Sequence, residues 1–141
     1  MSNQKLLLFY YGHDDFRYGV AEVFRAVLLG IDRKKYDPIL VYSGSLSKEA
    51  VSKLPGIELH QLHQRSLKKS IWYLYKLLKS IRPAILMTGT EHANIACSIL
   101  KLMLLGRIGL VLTVHSPLKL RFQEMWSKKE TRFFLGSTRV T

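Results

Sequence analysis

Cysteine is nearly missing: Cys97 is the only one in 141 residues. That excludes a disulfide framework and a cysteine-rich metal site, and it suits a reducing compartment. Long apolar runs are missing too. The most apolar region, 95–114, is broken by Ser98, Lys101, Gly106, Arg107 and Gly109, well short of the ~20 residues that span a bilayer. The run from Leu6 to Tyr11 leads into His13, Asp14 and Asp15, so it lacks the longer apolar core and small-residue cleavage site of a secretory signal. The loop after it contains no GxGxxG, which removes the dinucleotide fingerprint. Acidic residues are scarce in the second part of the chain, and none lies between Leu59 and Thr90.

What is present is a chain large enough for one domain with a real core. Hydrophobic residues make up 48%, which excludes a disordered chain. The net charge is +12, and it is placed unevenly: residues 1–59 hold 8 basic and 7 acidic side chains, residues 60–141 hold 14 and 3. An excess concentrated in this way points to an anionic partner, whether nucleic acid, a membrane surface or a phosphorylated ligand.

Short apolar runs alternate with helical periodicity. Strands are expected at Lys5–Tyr11, Pro38–Tyr42, Ile57–Leu62, Ala84–Thr88 and Leu110–Val114, from continuous or alternating apolar residues bounded by breakers. Helices are expected at Gly19–Leu29, Leu67–Ile81 and Glu91–Leu105, with a short helical piece between Ser43 and Gly56. In the first, Val20, Val23, Phe24, Val27 and Leu28 share one face, and Gly30 fits a C-terminal cap. Arg82–Pro83 stops the second. A further helix is expected from Pro117 to about Lys129, and Arg132–Leu135 starts a sixth strand. This order predicts an α/β domain, Rossmann-like and three-layered (α/β/α), with a parallel sheet covered on both faces.

Ligands of such sheets sit beyond the carboxyl ends of the strands. Three segments share that rim. The first, Gly12–Gly19, offers His13, Asp14, Asp15, Arg17 and Gly19, and Gly19 at a helix start permits close backbone approach to a ligand; a plain flexible loop is the alternative. The second, Gly89–Asn94, turns from strand into helix. Thr90 suits the N-cap, leaving backbone N–H groups for phosphate or sugar oxygens. Glu91, His92 and Asn94 add side chains, though neighbours on a helix do not face one ligand together; ordinary capping is the alternative. The third holds His115, Ser116 and Pro117. An imidazole at a strand end can orient a hydroxyl, take its proton or bond a sugar, or simply bond the backbone.

The helix 67–81 carries the clearest charge pattern. Leu67, Ile71, Leu74, Leu78 and Ile81 form its core face. Arg65, Lys68, Lys69, Trp72, Lys76 and Lys79 fall within a band about 100° wide, Arg65 only if the helix starts early. Tyr73 and Tyr75 flank the core stripe. Cations around an exposed Trp suit an anionic bilayer, with each basic residue contributing roughly 1 kcal/mol. A solvated basic face and a nucleic-acid surface are the alternatives.

Three stretches together resemble the N-terminal domain of GT-B glycosyltransferases of the GT4 type. Gly19-Val20-Ala21-Glu22-Val23, followed by Leu29-Gly30-Ile31-Asp32-Arg33-Lys34-Lys35-Tyr36-Asp37-Pro38, is similar to that family's GGAERV … L-D-R-x-x-Y-E-P passage. Thr90-Glu91-His92-Ala93-Asn94-Ile95-Ala96 is similar to its H-x-N-x-A helix start. Leu112-Thr113-Val114-His115-Ser116-Pro117 is similar to its V-T-x-H-x-P strand ending. Tyr18 stands where the family often has the first glycine of a pair. The resemblance implies that Gly19 approaches the donor phosphates and the acceptor, that His92 and Asn94 line the acceptor side, and that His115 meets the transferred sugar and is catalytic. It also implies that the basic, aromatic segment Arg65–Lys79 docks on anionic lipid.

On this reading, residues 1–141 form a single acceptor-side domain with no metal or cofactor of its own. A nucleotide-sugar donor serves the complete enzyme, and the acceptor is a lipid-linked or cell-surface glycan. The family's donor-binding domain carries E-x7-E; Glu124 and Glu130 are six apart in a basic segment and do not provide it. That half is therefore expected elsewhere, in a longer reading frame or on a separate chain, and this chain alone is expected to be inactive. The implied location is cytoplasmic, peripheral at the inner face of the membrane. The rivals are a non-catalytic membrane- or partner-binding module and, with less support, a basic nucleic-acid-binding α/β domain, since no aromatic-rich strand platform is visible.

Overall fold

The computed structural model describes residues 3–12, 16 and 19–113. Five strands, β1 (Gln4–Tyr10), β2 (Tyr36–Tyr42), β3 (Glu58–Gln61), β4 (Ile85–Thr88) and β5 (Gly109–Leu112), alternate with four helices, α1 (Val20–Gly30), α2 (Lys48–Ser52), α3 (Leu67–Ile81) and α4 (Glu91–Met103). All strand pairs are parallel, and the spatial order is β3-β2-β1-β4-β5. The Rossmann-like α/β architecture expected from the alternation is therefore present. The expected helix at 117–129 and strand at 132–135 lie outside the described residues.

The pleat of β1 divides the core in two. Leu6, Leu8 and Tyr10 face α1 together with Phe24, Leu28, Leu40 and Tyr42. Leu7 and Phe9 face α3 and α4 together with Val41, Leu74, Leu78, Leu86, Cys97 and Leu100. Both faces of β1 are thus apolar, which is why its sequence is a continuous run rather than an alternation. Each fully buried Leu or Phe contributes about 1.5–3 kcal/mol, so the central strand anchors the domain.

Parallel neighbours require crossover connections, and the helices supply them. From β1 the chain steps outward to β2 and β3, then α3 carries it back past β1 to β4 on the other side. The direction of winding reverses between β1 and β4, and sheets of this kind bind ligands beyond the carboxyl ends of the strands at such a point.

Several local expectations are corrected. Helix α1 buries Ala21, Phe24 and Leu28, while Val23, expected on that stripe, is exposed. Gly30 is the last helical residue, and Ile31 takes the cap in an extended conformation. In α3 the fully buried positions are Ser70, Leu74 and Leu78, spaced by four; Leu67, Ile71 and Ile81 are only half-buried.

Candidate functional site

Glycines shape two helix entries at this switch point. Gly19 precedes α1 with φ 57° and ψ −115°, a conformation that a side chain strongly disfavours. The amide of Glu22 donates to the Gly19 carbonyl at 3.2 Å. Beneath this entry Phe16 is fully buried. Its ring meets Tyr10 edge-on at 4.8 Å, and the Arg25 guanidinium donates to its carbonyl at 2.7 Å. At the end of β4, a Cβ built on Gly89 would lie 2.5 Å from Val20 Cγ1, 2.8 Å from Thr113 Oγ1 and 3.1 Å from Phe24 Cε1. Glycine is what lets β4, α1 and the end of β5 meet at one point.

Asn94, one turn into α4, ties this junction to β5: its Nδ2 donates to the Thr113 carbonyl at 3.1 Å. Thr113 in turn sends both its amide and its hydroxyl to the Thr88 carbonyl, at 2.9 and 3.0 Å. Thr90 does occupy the N-cap of α4, with extended backbone, but its side chain caps no amide. Among the described residues, Thr90 Oγ1 and Asn94 Oδ1 are buried without a hydrogen-bond partner. Buried polar atoms in this state are typically completed by water or a ligand. Glu91 and His92 project from the first turn and are exposed. Cys97 lies one turn deeper. Burial pushes its thiol up to about 12 from 9.0, against the opposing effect of the Thr88 hydroxyl, so it stays a neutral core thiol and not a nucleophile.

A second hollow on the same edge was not anticipated from the sequence. It follows the carboxyl ends of β2 and β3, encloses about 460 Å³, and is lined by Ser43, Gly44, Ser45, Gln61, His63, Gln64 and Arg65. Gln61 Nε2 donates to the Gly44 carbonyl at 2.8 Å, and Tyr11 Oη donates to the Arg65 carbonyl at 3.1 Å. The polar run from His60 to Arg65 is the signal that could have marked it. Because α3 begins only at Leu67, Arg65 belongs to this rim and not to the band on the helix.

The rest of that band is on the outer face of α3. Lys68, Lys69, Trp72, Lys76 and Lys79 are all exposed. Trp72 and Tyr75 stack with centroids 5.9 Å apart. Lys76 Nζ lies 5.3 Å from the Trp72 ring, and Lys79 Nζ lies 5.3 Å from the Tyr75 ring. The spacing of four places each ammonium over a ring, so the face presents cations and aromatic edges together.

His13, Arg17, His115 and Ser116 lie outside the described residues. Among the described residues, no group of three or more His, Cys, Asp or Glu could hold a metal ion, and no helix is long and apolar enough to cross a membrane. No family model and no curated protein matches the chain.

Proposed function

We propose that this chain is the acceptor-side half of a GT4-type glycosyltransferase, acting with a nucleotide-sugar-binding half on a lipid-linked or cell-surface glycan. One observation carries the reading. The stretches that resemble the family, at Gly19–Val23, Thr90–Ala96 and Leu112–Pro117, are far apart in sequence, yet Val20 of the first and Thr113 of the third both close on Gly89, the residue just before the second. They meet at the carboxyl edge where the strand order reverses, which is where α/β sheets of this kind bind ligands. The buried acceptors of Thr90 and Asn94, the amino end of α4 and the hollow beside Arg65 supply hydrogen-bonding groups suited to sugar hydroxyls and phosphates. His115, which follows β5 in sequence, is the proposed contact to the transferred sugar, and His13, Arg17 and Ser116 are proposed as further substrate contacts.

In the same reading α3 holds the protein against an anionic leaflet, peripherally and on the cytoplasmic side. The exposed Lys68, Lys69, Trp72, Lys76 and Lys79 support this. A nucleic-acid role has less support, because Phe9, Tyr10 and Tyr42 on the strands are buried and form no stacking platform.

Binding measured by saturation-transfer NMR separates the readings. The purified chain should bind glycan acceptor analogues, show no tight binding of nucleotide sugars, and transfer no sugar unaided. Sugar transfer by the chain alone, or tight nucleotide-sugar binding without glycan binding, would overturn the assignment to the acceptor side. Salt-dependent oligonucleotide binding without glycan binding would favour the nucleic-acid rival.

A further inference from the structure

At the amino end of the sheet, the turn after α4 exposes apolar side chains that no packing among the described residues explains. Leu102, Met103 and Leu105 are 77%, 53% and 79% exposed. Ile99 and Ile95, one and two turns back on the same side of α4, are exposed as well. Leu105 is also held with φ 55°, the left-handed conformation that ends helices and is normally left to glycine. Its amide donates to Leu102 and that of Gly106 to Lys101, so the turn is a rigid helix terminus. A leucine in this position is both solvated and strained, a combination that marks binding surfaces.

Beneath the turn lies a cleft of about 500 Å³ between the ends of α3 and α4. Leu78, Pro83, Met103, Leu104 and Ile108 contribute apolar walls, and Lys79, Arg82 and Arg107 line it with positive charge. Lys79 is also the last cation of the α3 band, so the two surfaces are continuous.

We propose that this turn and cleft form a lip that inserts into an anionic phospholipid surface. Leu102, Met103 and Leu105 enter the apolar layer, while Lys79, Arg82 and Arg107 hold lipid phosphates. The inference rests on the peripheral-membrane reading of α3 and adds to it a second contact, which fixes the protein's orientation. The occupant is a bilayer and not a soluble anion because the cations surround an exposed apolar projection.

The test labels Leu105→Cys with an environment-sensitive fluorophore, Cys97 being buried, and compares it with Lys48→Cys on α2 at the opposite face. Vesicles are phosphatidylcholine alone, or with about one third phosphatidylglycerol. The label at 105 should brighten severalfold and shift blue on anionic vesicles, the label at 48 should not, and Arg82→Glu with Arg107→Glu should abolish the response. An unchanged label at 105 on protein that still sediments with vesicles would overturn the lip and leave the α3 reading standing. Absence of sedimentation would overturn both. An equal response to neutral vesicles would remove the cations from the proposal. A label already shielded before vesicles are added would show that protein covers the turn, and the lip would fall.

Discussion

Gly89 faces Val20 so closely that a Cβ on Gly89 would lie 2.5 Å from Val20 Cγ1. The first turn of α1 and the end of β4 therefore meet in direct contact. Gly89→Ala is expected to lower the unfolding free energy by about 1–3 kcal/mol through overpacking. A Val20→Ala change in the same chain should recover part of the loss, a non-additivity typical of neighbours. Urea midpoints of the single and double variants check this; equal losses with and without Val20 would mean that the backbone strains elsewhere.

Asn94→Ala removes the bond from Nδ2 to the Thr113 carbonyl and leaves that carbonyl with one partner fewer. The expected loss is about 0.5–1.5 kcal/mol. Amide exchange should quicken selectively at Thr113, whose N–H is otherwise held by Thr88. Asn94→Asp should be no better, because it lacks the donor. Unchanged exchange at Thr113 in both variants would show that the tether does not hold the end of β5.

Cys97 makes stability depend on alkaline pH. Its folded thiol titrates at about 12, above the ordinary 9.0. Between those values the unfolded chain has lost a proton that the folded chain keeps, so stability falls as pH rises, by about 1.4 kcal/mol per unit. Below about pH 9 the effect vanishes. Tyr42, also raised by burial, adds a loss of the same sign at higher pH. Denaturation of wild type and Cys97→Ala at pH 8 and pH 10 isolates the thiol; parallel losses in the two proteins would contradict it.

Leu105→Gly should act in opposite directions on stability and on lipid. Relieving the left-handed leucine is expected to stabilise the fold by roughly 1 kcal/mol. Vesicle binding should weaken at the same time. A thermal melt and a vesicle titration on one preparation read both, and a variant that is less stable would show that the leucine packs against something.

The local pattern made most elements legible. Lys5–Tyr11 reads as a strand because a strand buried on both faces is apolar throughout, and Leu67–Ile81 reads as a helix because its apolar residues recur every three or four. Boundaries were less legible. The bounds of α3 agree with the expected Leu67–Ile81, but β5 begins at Gly109 and not Leu110, because strand ends are set by pairing with a neighbour. Arg65 joins the helix band only if the helix starts early; it does not, and Arg65 lines the hollow after β3. The candidate site was half legible: the rim followed from topology, but the hollow beside His63 and Gln64 carries no motif.

The sequence by itself determined the alternation of strands and helices, the layering that follows from it and the uneven charge, because periodicity and composition are properties of neighbouring residues. Tertiary structure alone decided that β4 lies beside β1, that Gly89 touches both Val20 and Thr113, and that Leu105 stands exposed above a basic cleft. Those relations arise from pairing between segments tens of residues apart. Their energy is a matter of register, close packing and crossover handedness, none of which a local pattern encodes.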